Sequence, residues 1–304
     1  MPVPRAPRLI PIAAALAAAA VALSGCGSSS VTGVVDPVAK AATISNQASG
    51  MRMTLAMRMK TSALPVPINA KGSGSFSLVN HTGAFGLTLD LGNIPQVSAL
   101  LGGSTLTIDE ILSGTTIYLK LPPALARNPA LHGKPWAKIN LANAGKALGL
   151  GGFSSLLNNP ASSDPSQLLR YLRAASSSVT KVGTATVDGF QTTHYRGRIQ
   201  LARVPNAFPA AQRAQVRQTI SALQQLAHVS SIPVDVWIDG QHLVRREALS
   251  FNENVAGQKV TVALRVDVPQ YGPQPAPQLP PASQVADLTG GLATTSGSAA
   301  SAAG

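Results

Sequence analysis

The 304 residues carry 24 Lys+Arg against 12 Asp+Glu, a formal net charge of +12, with aromatics at only 4% and a single cysteine. One cysteine has no internal disulfide partner. The cations, among them Arg52, Arg58, Lys60, Arg170, Arg173, Arg196, Arg198, Arg203, Arg213, Arg217, Arg245 and Arg246, are scattered, without the compact basic stripe and interleaved aromatics of a nucleic-acid binder.

At the start of the chain Arg5 and Arg8 precede an apolar run from Ile10 to Ala22, and small residues Ser24 and Gly25 lead to Cys26. This is the layout of a secretory signal peptide, and the run is shorter than the roughly 20 apolar residues of a transmembrane helix. The quartet Leu23-Ser24-Gly25-Cys26 resembles a bacterial lipobox, which implies that residues 1–25 are removed and that Cys26 is acylated, palmitate being the chain type expected. One acyl chain holds only marginally and two or three hold stably, at about 0.8 kcal/mol per buried methylene. Cys26 is therefore read as the membrane anchor, with the folded part at the outer face of the cytoplasmic membrane, in the cell envelope. Loss of residues 1–25 takes away two arginines and no acids, so the charge falls from +12 to +10, and a basic surface suits anionic headgroups.

Residues 26–35 read as the lipidated cysteine and a small, polar tether. Residues 36–289 read as one β-rich domain, and 290–304, made of Gly, Ser, Ala and Thr without periodicity, as a disordered tail. Asp36-Pro37 predicts a first helix to about Ala48, with Asp36 as N-cap and Pro37 at the first helical position. Period-2 alternation follows at Phe76 and Leu78, at Phe85, Leu87, Leu89 and Leu91, and at Ile117, Leu119 and Leu121, as in half-buried antiparallel strands. A short turn is expected at Asn143–Leu148 and a helix from Asp164-Pro165 to about Ala175. Five more strands are predicted at 182–187, 193–201, 234–238, 243–251 and 260–268, joined by turns at Asp188-Gly189, Asp239-Gly240 and Ala256-Gly257, the first two as hairpins. Between them, Val216, Ile220, Leu223 and Ala227 fall at helical spacing and predict a helix from Pro209 to His228, either covering one side of the sheet or lidding a cavity. The prolines from Pro269 to Pro281 are expected to take the chain out of the sheet.

Catalytic and metal patterns are weak. The histidines at 81, 132, 194, 228 and 242 are dispersed and no metal-ligand spacing is present, so neither a metal nor a cofactor is expected. His194 reads as packed or hydrogen-bonded, and Trp237, flanked by Asp235 and Asp239, as a core anchor or interface residue ahead of a ligand contact. Gly72-Ser73-Gly74-Ser75 lacks nucleophile-elbow spacing and reads as a turn or bulge. Asp109-Glu110 reads as a solvated turn or helix start ahead of an acid/base pair, and the pairs Gly102-Gly103 and Gly151-Gly152 as flexible loops. An enzyme is not expected.

The second half carries phrases that resemble one family. Leu169-Arg170-Tyr171-Leu172-Arg173, Val182-Gly183, Val187-Asp188-Gly189 and Thr193-His194-Tyr195-Arg196 are similar to a run of LppX/LprG-type actinobacterial lipoproteins. Val234-Asp235-Val236-Trp237-Ile238-Asp239 with Leu243-Val244-Arg245-Arg246 resembles their hairpin, and Tyr271-Gly272 and Val285-Ala286-Asp287-Leu288-Thr289 their C-terminal close. Two departures stand out. Asp239-Gly240-Gln241-His242 replaces the family's Asp-x-x-Gly-Leu, and the segment from Leu121 to Pro160, rich in Gly, Asn and Pro, matches nothing in the pattern. The resemblance implies an α+β, LolA/LolB-like fold: a single strongly curved antiparallel sheet, an incomplete barrel, with helices packed on its concave face and an apolar cavity between. It also implies an acylated lipid or lipoglycan as ligand.

The leading expectation is thus a monomeric, membrane-anchored lipoprotein that carries or presents an acylated glycolipid or phospholipid, with the membrane and a membrane transporter as its other partners. Leu87, Leu89, Leu119, Val236, Leu249 and Leu264 are the core-or-cavity candidates, and alternation alone does not choose between filled core and open pocket. A sensor or protein-interaction module of the same fold is the second reading and a cell-envelope hydrolase a distant third.

Overall fold

The computed structural model describes residues 37–62, 64, 66–91, 103–126, 129–140, 176–207, 210–227, 230–255 and 258–289. Cys26, the tether, the tail, the cap Asp36 and the helix and turn expected between 143 and 175 lie outside them.

Two meanders make one sheet. The first runs β1 (Gly50–Thr61), β2 (Ile68–Ser77), β3 (Thr82–Asp90), β4 (Thr105–Ser113), β5 (Thr116–Lys120) and β6 (Trp136–Asn140). The second runs β7 (Ser176–Val187), β8 (Phe190–Gln200), β9 (Ser231–Asp239), β10 (Val244–Val255) and β11 (Gln258–Tyr271). β11 pairs with β1, and β12 (Val285–Asp287) adds to β6, giving the order β12-β6-β5-β4-β3-β2-β1-β11-β10-β9-β8-β7. All pairs are antiparallel except β12 on β6. The sheet is open, with a three-residue strand at one edge and the doubly bulged β7 at the other, devices that blunt strand edges against further pairing.

Turn chemistry accounts for the second meander. Asp188 and Gly189 both have positive φ, as a two-residue type I′ hairpin requires. At the β9–β10 turn, Asp239 Oδ1 accepts from the backbone N–H of Gln241 and Leu243, and His242 takes φ 62°. A histidine in the left-handed region is strained, and glycine is the residue that adopts it at no steric cost. His81 and His132 also have positive φ, which makes turn-forming a shared role of these dispersed histidines.

Helix α1 (Pro37–Asn46) sets Val38 and Ala41 into a cluster with Val234, Val236, Ile238 and Val244 of β9 and β10, and Ser45 Oγ accepts from the Val244 N–H. A four-residue helix α2 spans Pro123–Ala126. Helix α3 (Ala210–Ala227) follows the 3-10 turns of Leu201–Ala207 and touches β10. Its Val216 and Ile220 are half-buried while Arg213, Arg217 and Gln218 are exposed, as the periodicity predicts, and Gln224, expected with the exposed set, is half-buried.

Several local expectations are corrected. Gly72-Ser73-Gly74-Ser75 is the interior of β2, paired on both sides. Its glycines leave room for a ring: a Cβ on Gly72 would stand 2.5 Å from Phe85, and one on Gly83 would stand 2.2 Å from Phe76. Phe85 lies opposite Gly74 and Phe76 opposite Gly83, so aromatic rings cover bare backbone, an aromatic-rescue arrangement. Asp109-Glu110 lies in mid-β4 and not in a turn, the two side chains on opposite faces by strand alternation. Pro269 remains within β11, at the bulge between the Arg52 and Thr54 pairings where a missing donor is tolerated. Strand β2 ends at Ser77, before Leu78. Strands β1, β4, β6 and β12 went unpredicted; β1 alternates Met with Arg and Lys, residues with little strand preference.

Candidate functional site

Because side chains alternate across a pleated strand, the pairing register sorts the whole sheet into two faces. Leu249 lies opposite Leu264, Leu264 opposite Met57, Met57 opposite Ala70 and Ala70 opposite Leu89. Leu87 lies opposite Ile108, Glu110 opposite Leu119, and Leu249 opposite Val234, two residues from Val236. Leu87, Leu89, Leu119, Val236, Leu249 and Leu264 therefore share one face. Leu89 and Val236 are closely packed, 3% and 4% exposed; the other four are half-buried.

This face is aliphatic over both meanders. Ile68, Ala70, Leu89 and Leu91 form one cluster, and Met53, Leu55 and Val266 another, with Met57 and Leu87 packed against both. Among the described side chains a carboxyl interrupts it at two places. Glu247 lies opposite Val236 on one side and Val266 on the other, at the seam between the α1 cluster and the Val266 cluster. Burial pushes its carboxyl up to about 8. Glu110, between Phe85 and Leu119, is also raised by burial.

The opposite face is polar, and its second half is a chain of paired charges. Asp235 Oδ1 takes the Arg196 Nε at 2.8 Å and lies 2.6 Å from His194 Nε2. His194 stacks on Trp237 with ring centroids 4.2 Å apart and planes 5° apart. Arg246 lies over the same Trp237 ring, 5.8 Å from its centre, and pairs with Asp267, which Arg265 also reaches at 3.1 Å. Trp237 is thus a rung of the polar ladder and not a core anchor, and His194 is both hydrogen-bonded and stacked. At the end of this half, Arg245 and Asp239 form an ion pair at 2.7 Å, 5% and 6% exposed. The Arg245 guanidinium stacks 3.6 Å from the Phe190 ring centre. Tyr271, its hydroxyl pushed up to about 12 chiefly by burial, donates to the Val244 carbonyl at 2.6 Å.

A groove of about 670 Å³ opens on this polar face, over β10, β11, β1, β2 and β3. Its floor is low because Ala56, Ala248 and Ala263 are short, and Arg58, Lys71 and Arg265 stand at its margin. Met57, Ala70, Leu249 and Leu264, which alternate with these residues and belong to the apolar face, also line it, two of them among the six apolar candidates. Sequence reading passed over the groove. The signal it left is a repeated Ala-x-Arg, at Ala56-Met57-Arg58 and Ala263-Leu264-Arg265.

Among the described residues no group of three or more His, Cys, Asp or Glu side chains could hold a metal ion, and no helix is long and apolar enough to cross a membrane.

No family model and no curated protein matches this chain. Solved structures similar to it include the Mycobacterium tuberculosis lipoprotein LppX, at 14% identity and a TM-score of 0.40, covering 80% of this chain and 100% of that one. LprF from Mycobacterium bovis is similar at 12% identity and a TM-score of 0.39, covering 81% and 99%. A DUF1329 family protein from Desulfovibrio piger is similar at 9% identity and a TM-score of 0.23, covering 78% and 93%.

Proposed function

We propose that the protein is a lipid-binding lipoprotein of the cell envelope, anchored through acylated Cys26, which carries or presents an acylated glycolipid or phospholipid on the apolar face of its sheet. The observation that carries this reading is the one-sided aliphatic surface, in which Leu87, Leu119, Leu249 and Leu264 stay half-buried on a single face across the seven strands from β5 to β10. Exposing acyl chains to water is opposed by about 25 cal/mol per Å², so a carrier needs an extended apolar surface that it can cover. In this reading the sheet curves around the lipid with helices on its concave face, the chain works as a monomer, and a membrane transporter delivers or receives the cargo. The Glu247 carboxyl, pushed up to about 8 by burial, offers a hydrogen bond to its ester or hydroxyl groups, and Glu110, also raised by burial, stands on the same face.

Close packing of Leu89 and Val236 favours a second reading, a sensor or interaction module whose apolar face is a filled core. Native mass spectrometry with lipid extraction on the full chain, purified from membranes in non-ionic detergent, separates the two. A stoichiometric diacyl or triacyl species, lost in Leu264→Asp, is the result expected of a carrier. A ligand-free protein that ignores added lipid would replace it with the filled-core reading.

A further inference from the structure

The groove on the polar face has its own chemistry, independent of what the apolar face binds. The two Ala-x-Arg segments meet antiparallel in its centre: Ala56 lies opposite Arg265, and Arg58 opposite Ala263. Each arginine thus flanks the other strand's alanine. Lys71 lies opposite Ala56 on the next strand, and Ala248 lies opposite Arg265 on the far side. With strands about 4.8 Å apart and about 6.8 Å between alternate residues along a strand, the three cations bracket a floor about 10 Å across that holds only methyl groups.

Charge pairing elsewhere makes this cluster distinctive. On the same face Asp235, Asp267, Asp109 and Asp287 each have a basic partner. Arg58 and Lys71 are exposed and form no ion pair among the described residues. Arg265 meets Asp267 through Nε at 3.1 Å and also lines the groove. Asn69, Thr88 and Ser250 supply neutral hydrogen-bonding groups around the cations, and Asp90 stands at one end.

We infer that this groove binds a phosphoryl anion, held by Arg58, Arg265 and Lys71 over the alanine floor. Three convergent cations exceed the charge of one carboxylate and match a phosphate, whose oxygens accept paired guanidinium donors and a point-charge ammonium. The neutral side chains suit the hydroxyls of a glycerol or sugar esterified to it. A membrane phospholipid headgroup and a free phosphate share this chemistry.

The test uses the full chain in non-ionic detergent micelles, titrated calorimetrically with inorganic phosphate, and separately with the same micelles doped with phosphatidylglycerol or phosphatidylcholine. Phosphatidylglycerol is expected to bind at least tenfold more tightly than phosphatidylcholine. Competition by inorganic phosphate at similar concentrations would assign the site to free phosphate, and its absence to the headgroup; both outcomes support a phosphoryl site. Arg58→Gln with Lys71→Gln should weaken binding about tenfold or more, while Lys60→Gln, one row beyond the groove, should leave it unchanged. Ala263→Leu fills the floor at an exposed position with every charge kept, and should abolish binding. Retained binding in Ala263→Leu, equal loss in Lys60→Gln, or no preference for phosphatidylglycerol would reduce the cluster to diffuse surface charge and overturn the inference. Lipid extraction from the apolar face can fail without affecting any of these readouts.

Discussion

The two meanders share a sheet but are held together differently. In the second, β7 to β11, polar side chains are paired: the buried Arg245–Asp239 bridge, the Asp235 ladder and Asp267 with its two arginines. In the first, β1 to β6, phenylalanine rings lie over glycine backbone and, among the described residues, the cations of β1 and β2 stand without acidic partners. One half is specified by charge geometry, the other by shape. The surplus charge of the shape-specified half is what the phosphoryl groove draws on.

Removing one member of the buried pair should have the largest effect. Arg245→Ala leaves Asp239 without its counter-charge and uncovers the Phe190 ring, and is expected to cost about 3–5 kcal/mol in urea unfolding. A loss below about 1 kcal/mol would show that the second half does not depend on charge pairing. In the first half, Gly83→Ala drives a Cβ against the Phe76 ring and the Ser75 carbonyl, 2.2 and 2.8 Å away, and should cost about 1–3 kcal/mol. Gly86→Ala, whose Cβ would meet nothing nearer than 3.7 Å, is the matched control and should be neutral or slightly stabilising. Equal effects at the two glycines would remove the ring-on-glycine argument.

Glu247 is the exception within the charge-paired half, since its raised carboxyl traces to burial alone. Folded, it keeps its proton up to about pH 8, and unfolded it releases it near 4.5. The folded state therefore binds more protons between those values, and the parent should lose stability as pH rises from 4.5 to 8. Glu247→Leu should flatten that decline and gain about 1–3 kcal/mol at pH 8, measured by denaturant unfolding at pH 5 and pH 8. A pH-independent gain would place the benefit in packing and not in the carboxyl. The smallest effect is expected at His242→Gly, which relieves a left-handed φ of 62° but loses the 2.8 Å contact with Lys40. A net gain of about 0.5–1 kcal/mol in thermal unfolding follows, and no gain would mean that the Lys40 contact offsets the strain.

How much was legible follows the same division. The Asp188-Gly189 hairpin, the α1 and α3 helices and the strands from Val234 to Val268 could be read because turn chemistry and periodicity are local. The carboxyl of Asp239 ties the Val-x-Val-Trp-Ile-Asp strand to the Leu-Val-Arg-Arg strand: one residue caps two backbone N–H groups of the turn and also meets the arginine beyond it. The Gly72–Ser75 stretch was misread because glycine in a strand is unfavourable unless something distant covers it, and Phe85 is found only once β2 and β3 are paired. Asp109-Glu110 was misread for a related reason, since adjacent carboxylates look like a turn until strand alternation sends one to Lys120 and the other into the apolar face.

Local covalent order by itself determined the turns, the helices, the period-2 strands and which side chains share a face within each strand. Tertiary pairing decided everything that depends on register between distant segments. Met57 meets Leu264 and Ala56 meets Arg265 only because β11 returns to β1, more than 200 residues later in the chain. The physical reason is that a strand's own sequence fixes which side chains share its face, whereas neighbours across the ladder are chosen by the sheet as a whole.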